Sequence, residues 1–269
     1  YYYMIYLFGS TGMLGNYIKN KLNPSFNLSC KNREDFDIFK DNFEKLTIIL
    51  KELKENDIII NCAGVIPQKL SNNEYKKYIK INTLFPHKLQ SIVEKKNARL
   101  IHITTDCVFD GKKGSPYNEN DTHTETNIYG VSKSLGEPEN ATVIRTSIIG
   151  EELKDKKSLL EWVKSNKNKT INGYSNHLWN GVTCLTLANI IKDIINKNLF
   201  WKGVRHIFSP NIISKYELCC YISEIYKLNI NVNKIEHGNS VDKSLTTIHN
   251  NFIDNFNINN IYDQINDMV

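Results

Sequence analysis

A tyrosine and a lysine stand four positions apart, at Tyr129 and Lys133, in the stretch TNIYGVSKSLGE. On a helix, positions i and i+4 share one face, so both side chains can reach a single bound molecule. A lysine ammonium group stabilises the phenolate form of a neighbouring tyrosine and lowers its pKa, which is ordinarily about 10. The spacing therefore suits general acid–base chemistry near neutral pH. Taken alone, it is also typical of helices with a purely structural role.

A hydroxyl side chain precedes this helix, at Thr105 in the strand-like run HITTDCVFDG. A hydroxyl group can donate a hydrogen bond to a carbonyl oxygen on which negative charge develops. Thr105, Tyr129 and Lys133 are therefore the candidate catalytic residues of a reaction at a carbonyl group.

Three glycines, Gly9, Gly12 and Gly15, form a GxxGxxG pattern in FGSTGMLG, directly after the first strand-like run and at the start of a helical pattern. Glycines let the backbone approach a pyrophosphate, and the start of a helix offers N–H groups and a positive dipole end. The alternative is a tight strand-to-helix turn without a ligand. The position of the pattern favours dinucleotide binding.

The end of the second strand-like run indicates which dinucleotide binds. An acidic residue there would hydrogen-bond the adenosine ribose of NAD and repel a 2′-phosphate. This chain reads SCKNRED, with Lys31 and Arg33 at the corresponding place. NADPH is therefore the expected cofactor, with NADH as the alternative, unless these two cations are only solvated loop charges.

Strands and helices alternate through the first half of the chain. The runs MIYLFG, NLSC, DIIINCAG, RLIHITT and ATVIRTS are apolar without strict alternation, as expected of strands covered on both faces. Helical patterns lie between them near residues 12–22, 43–55, 73–95 and 129–136. This order predicts an α/β fold with a Rossmann-type doubly wound parallel sheet.

The second half predicts a smaller C-terminal α/β lobe for the substrate. Helical patterns near residues 158–166, 185–196 and 215–226 surround a strand-like GVRHIFS, and a polar tail follows. We expect an NADP-binding domain over residues 1–150 and a substrate-binding lobe over 151–269, with segments that return to the sheet. A helix in the tail is expected to pack on this lobe.

Composition excludes several classes of function. The net charge of +5 is spread over the 269 residues without a basic block, so no nucleic-acid partner is expected. The six cysteines have no zinc-like spacing, which predicts reduced thiols and no metal. No apolar run reaches the length of a membrane span, so we expect a cytoplasmic protein without membrane contact.

Together these stretches resemble the extended short-chain dehydrogenase/reductase family, in its dTDP-4-dehydrorhamnose reductase-like branch. The resemblance rests on FGSTGMLG, NCAG, INTLFPHKL, LIHITTDCVFDGKKG, YGVSKSLGE, IRTSIIGEEL and GYSNHLWNGVT. INTLFPHKL and HITTDCVFDGKKG are most similar to the subgroup that reduces UDP-2-acetamido-2,6-dideoxy-hexulose to UDP-N-acetyl-L-rhamnosamine. The segment HTETNIYG lacks the proline that often precedes the tyrosine in this family.

The resemblance implies NADPH-dependent reduction of the C4 ketone of a UDP- or dTDP-linked 4-keto-6-deoxyhexose. Tyr129 would donate the proton, Lys133 would hold the nicotinamide ribose and tune Tyr129, and Thr105 would hydrogen-bond the carbonyl oxygen. The expected cofactor-binding positions are Gly9, Ser10, Thr11, Gly12, Met13, Leu14, Gly15, Lys31, Arg33, Asp37, Cys62, Ala63, Gly64, Asn82, Thr104, Tyr129 and Lys133.

The resemblance also implies a set of positions for the nucleotide sugar. They are Val65, Thr105, Asp106, Cys107, Phe109, Tyr129, Arg145, Asn176, Trp179 and Asn180. Trp179 could stack on the base, although a tryptophan there is equally expected in a core. Arg145, after a buried strand, is equally expected to be structural.

A second chemistry is open at Cys107, which lies two positions after Thr105 and so on the same side of a strand. A related epimerase-reductase, GDP-fucose synthase, has a cysteine and a later histidine that exchange protons beside the keto group, and His177 falls in a comparable region. The alternative is a packed cysteine and a structural histidine. Some other relatives are non-catalytic dinucleotide-binding regulatory subunits. Homodimers are frequent among the relatives as a whole.

Overall fold

The structure is a computed structural model, and it describes residues 3–269. In chain order, its strands are β1 (Met4–Phe8), β2 (Asn27–Lys31), β3 (Ile58–Asn61), β4 (Arg99–Thr105), β5 (Thr142–Thr146), β6 (Ile148–Ile149), β7 (Thr170–Tyr174), β8 (His177–Trp179), β9 (Val182–Thr183), β10 (Gly203–His206), β11 (Ile213–Ser214), β12 (Asn231–Ile235) and β13 (Val241–Asp242). Its α-helices are α1 (Met13–Leu22), α2 (Glu44–Ile49), α3 (Tyr75–Tyr78), α4 (Phe85–Lys96), α5 (Ile128–Leu135), α6 (Leu159–Ser165), α7 (Cys184–Asn196), α8 (Lys215–Ile225), α9 (Asn250–Ile253) and α10 (Ile261–Asn266).

A six-stranded sheet follows the order β10-β5-β4-β3-β1-β2. β1 pairs in parallel with both β2 and β3, and β3 pairs in parallel with β4. Ile5, Leu7 and Ile60 are fully buried, as expected of strands that are covered on both faces. The predicted α/β fold with a Rossmann-type parallel sheet is confirmed.

The order in which the chain adds strands to the sheet reverses at β1. From β1 it adds β2 on one side, and from β3 onward it adds strands on the other side. In open α/β sheets, ligands bind beyond the carboxyl ends of the strands at such a reversal. The glycine loop follows β1 at this place.

The chain forms two compact units. The first contains residues 3–105, Thr126–Arg145 and Ala188–Val204, and its core includes Phe8, Ile59 and Phe85. The second contains Asp106–Glu125, Thr146–Leu187 and Arg205–Val269. Its small sheets are β11-β8-β13, β12-β7 and β6-β9. The predicted division near residue 150 stays a prediction.

Two helices differ from the sequence-based expectation. The helix expected over residues 43–55 ends at Ile49, because the Asp57 carboxylate accepts hydrogen bonds from the Lys54 and Met4 amides, at 2.8 and 2.7 Å, and closes a turn instead. The helix expected over residues 73–95 contains a π-helical segment, Ile79–Leu84, between α3 and α4. Such segments are frequent at functional sites.

The polar tail has more structure than its composition indicates. β12 pairs in parallel with β7 along five residues, although most of its side chains are polar. Ile261 and Ile265, four positions apart on α10, are fully buried in the core of the second unit. α10 is the tail helix that the sequence predicts. Within residues 3–269, no helix combines the length and the apolar character needed to cross a bilayer.

Candidate active site

The glycine loop forms a cradle that side chains would fill. Gly9 has a φ of +79°, and a Cβ atom there would lie 2.8 Å from the Ala63 nitrogen. A Cβ atom on Gly15 would lie 2.0 Å from the Gly9 carbonyl oxygen. Gly12 is the N-cap of the ten-residue helix α1 and has no side chain to satisfy its first amides. Both features fit a dinucleotide pyrophosphate. Of the other predicted loop residues, Ser10 and Leu14 are buried, Thr11 is exposed and Met13 is half-buried.

The NCAG segment after β3 is held by two buried residues that the sequence did not single out. Asn61 accepts a hydrogen bond from the Ala63 amide at 3.1 Å and donates one to His102 Nδ1, also at 3.1 Å. Burial, assisted by Lys133, keeps the pKa of His102 well below its usual value, so the ring stays neutral. Burial of the Cys62 thiol raises its pKa to about 12. The Cys62 thiol therefore stays protonated at neutral pH, and its place among the cofactor-binding positions stays a prediction.

The residues expected to select the adenosine ribose lie at the end of β2 and directly after it. The Lys31 ammonium group lies 5.9 Å from the centre of the Tyr6 ring, and Arg33 is exposed. The Asp37 carboxylate accepts hydrogen bonds from the Phe39 and Lys40 amides, at 3.0 and 3.1 Å. Asp37 therefore shapes its own loop, while preference for a 2′-phosphate stays a prediction from Lys31 and Arg33.

Asn82, in the π-helical segment, connects two predicted cofactor elements. Its Oδ1 accepts a hydrogen bond from the Val65 amide at 2.9 Å, and its Nδ2 donates to the Val65 carbonyl oxygen and to Ser132 Oγ, at 3.0 and 3.1 Å. A Cβ atom on Gly64 would lie 3.4 Å from Asn82 Oδ1, and one on Gly136 would lie 1.8 Å from the Asn82 carbonyl oxygen. Asn82 thus fixes the chain after NCAG and lies against the end of α5.

Helix α5 carries the tyrosine and the lysine, as predicted. Asn127 caps its start by accepting a hydrogen bond from the Gly130 amide at 2.9 Å. Ser132 Oγ donates to the Tyr129 carbonyl oxygen at 3.0 Å, and Thr83 Oγ1 donates to the Ser132 carbonyl oxygen at 2.7 Å. The first two bonds are internal to the α5 segment, whereas the bond from Thr83 ties α5 to the π-helical segment and so helps to orient the face that carries Tyr129 and Lys133.

Lys133 is only 6% exposed and lies at the end of β4. Its ammonium group donates a hydrogen bond to the Ile103 carbonyl oxygen at 2.8 Å, two residues before Thr105. Burial lowers the pKa of Lys133 to about 8, against the opposing charge of Glu137. The structure therefore brings the lysine to the strand end that carries Thr105, which is 8% exposed.

Glu137 forms a buried cluster with two residues that were predicted as ligand-binding. Arg145 Nε donates to Glu137 Oε1 at 3.1 Å, and Arg145 Nη2 donates to Oε2 at 2.6 Å. Thr104 Oγ1 donates to Glu137 Oε1 at 2.9 Å. These contacts favour the structural alternative for Arg145, while its role in substrate binding stays a prediction. The spacing of Lys133 and Glu137, four positions apart, was the sequence signal for this cluster.

In the second unit, three residues that were predicted to bind the nucleotide sugar make hydrogen bonds to other parts of the protein. Trp179 is 3% exposed, and its Nε1 donates to Ser147 Oγ at 2.7 Å. Asn180 exchanges two 2.8 Å hydrogen bonds with the backbone of Leu245. Asn176 accepts a hydrogen bond from the His237 amide at 3.0 Å. For Trp179, these contacts favour the core alternative.

Phe109 and His177 also have structural neighbours. Phe109 is fully buried and stacks on Tyr117 with a centroid distance of 4.2 Å. His177 Nε2 donates to the His237 carbonyl oxygen at 3.0 Å, and its ring lies 5.0 Å from that of Tyr174. One nitrogen of His177 is therefore already engaged as a donor, which leaves Nδ1 for any proton transfer.

Two lysines that the sequence did not single out interact with Asp106 and Cys107. Burial lowers the pKa of Lys215, against the charges of Asp106 and Cys107. Burial also disfavours charge on Lys243, but Cys107, Asp106 and Glu125 together raise its pKa. Lys243 lies 3.4 Å from Glu125. Across residues 3–269, no group of three or more His, Cys, Asp or Glu side chains could hold a metal ion.

Comparison with known proteins places the chain in a family. Residues 3–245 match the family model described as the RmlD substrate binding domain. The spore coat polysaccharide biosynthesis protein SpsK of Bacillus subtilis is 27% identical over 216 residues, which cover 70% of this chain and 68% of SpsK. The dTDP-4-dehydrorhamnose reductase of Mycobacterium tuberculosis is 35% identical over 107 residues, 35% of this chain and 34% of that protein.

Solved structures show the same fold. The dTDP-4-dehydrorhamnose reductase of Bacillus anthracis, in complex with NADP, has a TM-score of 0.84 and 20% identity over 99% of this chain and 98% of that chain. The predicted resemblance is confirmed, and so is an oxidoreductase class at the level of the family. The chain belongs to the RmlD substrate binding domain family, the dTDP-4-dehydrorhamnose reductase-like branch of the extended short-chain dehydrogenases/reductases.

Proposed function

We propose that the protein reduces the C4 ketone of a nucleotide-linked 4-keto-6-deoxyhexose with NADPH. The observation that carries the proposal is the 2.8 Å hydrogen bond from Lys133 to the Ile103 carbonyl oxygen. It anchors the helix that bears Tyr129 to the strand that ends in Thr105. The NADP in the Bacillus anthracis structure supports NADPH as the cofactor.

In the proposed reaction, the phenol of Tyr129 donates its proton to the C4 oxygen of the sugar. The Thr105 hydroxyl donates a hydrogen bond to the same oxygen, where negative charge develops. Bound NADPH supplies the hydride that adds to C4, so that the ketone gains one hydride and one proton. With a pKa of about 8, Lys133 is mostly charged at neutral pH. Its charge stabilises the phenolate that Tyr129 becomes when it donates its proton.

The glycine loop is the proposed seat of the cofactor pyrophosphate. Gly9 and Gly15 give the backbone room for close approach, and α1 directs its first amides toward the loop. Asn82 holds the chain after NCAG in place, and Lys31 and Arg33 are the proposed partners of the 2′-phosphate.

Two sugar nucleotides compete as the substrate. The stretches INTLFPHKL and HITTDCVFDGKKG favour UDP-2-acetamido-2,6-dideoxy-hexulose, with UDP-N-acetyl-L-rhamnosamine as product. The name of the Mycobacterium tuberculosis relative favours dTDP-4-dehydrorhamnose. We propose the UDP-linked sugar first and the dTDP-linked sugar as its competitor.

The experiment is a substrate panel. The purified protein is incubated with NADPH and with UDP- and dTDP-linked 4-keto-6-deoxyhexoses, and the loss of NADPH absorbance is followed. We expect turnover with at least one ketose, fastest with the UDP-linked 2-acetamido sugar. NADPH binding without turnover of any ketose would instead support a regulatory dinucleotide-binding subunit.

A second candidate function is C3 epimerisation before reduction. Lys215 and Lys243 interact electrostatically with Cys107, and a cysteine thiol can take part in abstraction of the proton next to the ketone. Turnover in D₂O tests this candidate. Deuterium at C3 of the product in the unmodified protein, lost in Cys107→Ser, supports epimerisation, and product without deuterium at C3 excludes it.

A further inference from the structure

Glu137 connects the end of the helix that bears Tyr129 and Lys133 to two strands of the sheet. The residue follows α5, and its side chain is 7% exposed. Arg145 on β5 contacts both of its carboxylate oxygens, at 3.1 and 2.6 Å, and Thr104 on β4 donates to one of them at 2.9 Å. A carboxylate with this many charge-assisted and neutral donors has a fixed position.

The same carboxylate acts on Lys133, one helical turn earlier in the chain. Lys133 loses hydration on burial, which disfavours its charged form, and the negative charge of Glu137 is the strongest opposing influence. Arg145 forms an ion pair with this carboxylate at 2.6 Å. The charge on Lys133 therefore depends on a residue that the proposed mechanism does not otherwise use.

We propose that Glu137 is a positioning residue for the reduction, which fixes the end of α5 between β4 and β5 and keeps the ammonium group of Lys133 charged. The inference rests on the proposed function, in which a charged Lys133 assists Tyr129. Glu137 itself contacts neither substrate nor cofactor in this account; it acts through Lys133.

A purely structural ion pair and the proposed role predict different results for the two partners. If the ion pair is purely structural, removal of either partner loosens the same cluster. Glu137→Gln and Arg145→Met should then change the pKa of Lys133 in the same direction. The proposed role predicts opposite directions. Glu137→Gln removes the negative charge that opposes the effect of burial on Lys133 and lowers the pKa of Lys133, whereas Arg145→Met removes the cation paired with that carboxylate and raises the pKa.

The pKa of Lys133 can be measured without any substrate. Competitive labelling with acetic anhydride across a pH series, read by peptide mass spectrometry, reports the neutral fraction of each lysine. A pKa of about 8 leaves about one tenth of Lys133 neutral at pH 7. A pKa lower by about one would raise this fraction to about one half, so labelling in Glu137→Gln should be about fivefold faster. Arg145→Met should be labelled more slowly than the unmodified protein.

Each single variant leaves a buried charge without its partner, which can prevent folding. The double variant Glu137→Gln/Arg145→Met removes both charges and keeps the cluster neutral. Because Glu137 is the largest influence that keeps Lys133 charged, the double variant should still be labelled faster than the unmodified protein, but more slowly than Glu137→Gln. Glu137→Asp keeps the charge and should restore slow labelling. Glu139→Gln removes an exposed carboxylate two residues away and is the matched control, with labelling unchanged.

The proposal is overturned if Lys133 in the double variant is labelled at the rate of the unmodified protein. It is also overturned if both single variants change the labelling rate of Lys133 in the same direction. Activity gives a second readout. In Glu137→Gln, the alkaline loss of kcat should move to lower pH with little change in KM. An unmoved profile, despite the predicted labelling, would refute the link to catalysis. If no ketose is turned over at all, the proposed function fails, while the labelling result still decides the role of Glu137.

Discussion

Substitution of Lys133 by methionine should change how the stability of the protein depends on pH. Lys133 is buried and donates to the Ile103 carbonyl oxygen, and its pKa is about 8 in the folded chain against 10.5 for a hydrated lysine. As pH rises through the folded pKa, the folded state releases this proton while the unfolded state keeps it. The free energy of unfolding therefore gains a contribution above pH 8 that is absent below it.

The magnitude follows from the two pKa values. Between about pH 7 and about pH 9.5, a shift from 10.5 to about 8 contributes about 2 kcal/mol to the free energy of unfolding. Methionine has a similar length and no charge, so the variant lacks this contribution. The unmodified protein should gain about 2 kcal/mol relative to Lys133→Met over this range. Packing changes affect the difference at any one pH but not its change with pH.

Urea unfolding at several pH values, followed by circular dichroism, measures this change. A thiol reductant is included because the chain has six cysteines. Lys51→Met is the matched control, since the Lys51 side chain is 72% exposed and its ammonium group is hydrated in both states. A stability difference between the unmodified protein and Lys133→Met that stays constant from pH 7 to 9.5, or changes in the opposite direction, would refute the reasoning.

Two further substitutions test the cofactor cradle and the second unit. Gly15→Ala would place a Cβ atom 2.0 Å from the Gly9 carbonyl oxygen, so NADPH binding measured by calorimetry should weaken about 100-fold or more, while Asn172→Ala, at an exposed position, should bind normally; equal affinities would contradict the cradle. Asn180→Ala leaves the buried Leu245 amide and carbonyl without partners and should cost about 2–4 kcal/mol in urea unfolding, whereas the exposed Asn172→Ala should cost less than about 0.5 kcal/mol. A neutral Asn180→Ala would show that this contact is dispensable.

Much of the first unit was predictable because local signals agree there. Apolar runs placed β1 to β5, and the glycines marked the turn into α1 where close backbone approach requires them. Tyr129 and Lys133 were predictable from their spacing, since α5 has a regular start at the Asn127 cap. The π-helical segment was not, because it depends on contacts of Asn82 with residues distant in the chain.

Residues that act through tertiary contacts were the hardest to predict. Glu137 is visible beside Lys133 in the sequence, but its pairing with Arg145 and Thr104 needs three elements to meet. A sequence pattern alone could not decide whether Trp179 binds a ligand or packs in the core, because a tryptophan on a short strand is compatible with both roles. No sequence pattern pointed to Lys215 and Lys243. Both interact with Cys107, which lies more than one hundred residues earlier in the chain.

The rate of ketose reduction by Tyr129→Phe tests the central claim most directly. The substitution removes only the phenolic oxygen, so NADPH binding should persist. The rate with a saturating 4-keto sugar should fall by about 100-fold or more, as expected when a general acid is lost. Tyr75→Phe, at an exposed tyrosine, should react at the unmodified rate. Full turnover by Tyr129→Phe would contradict the assignment of the proton donor.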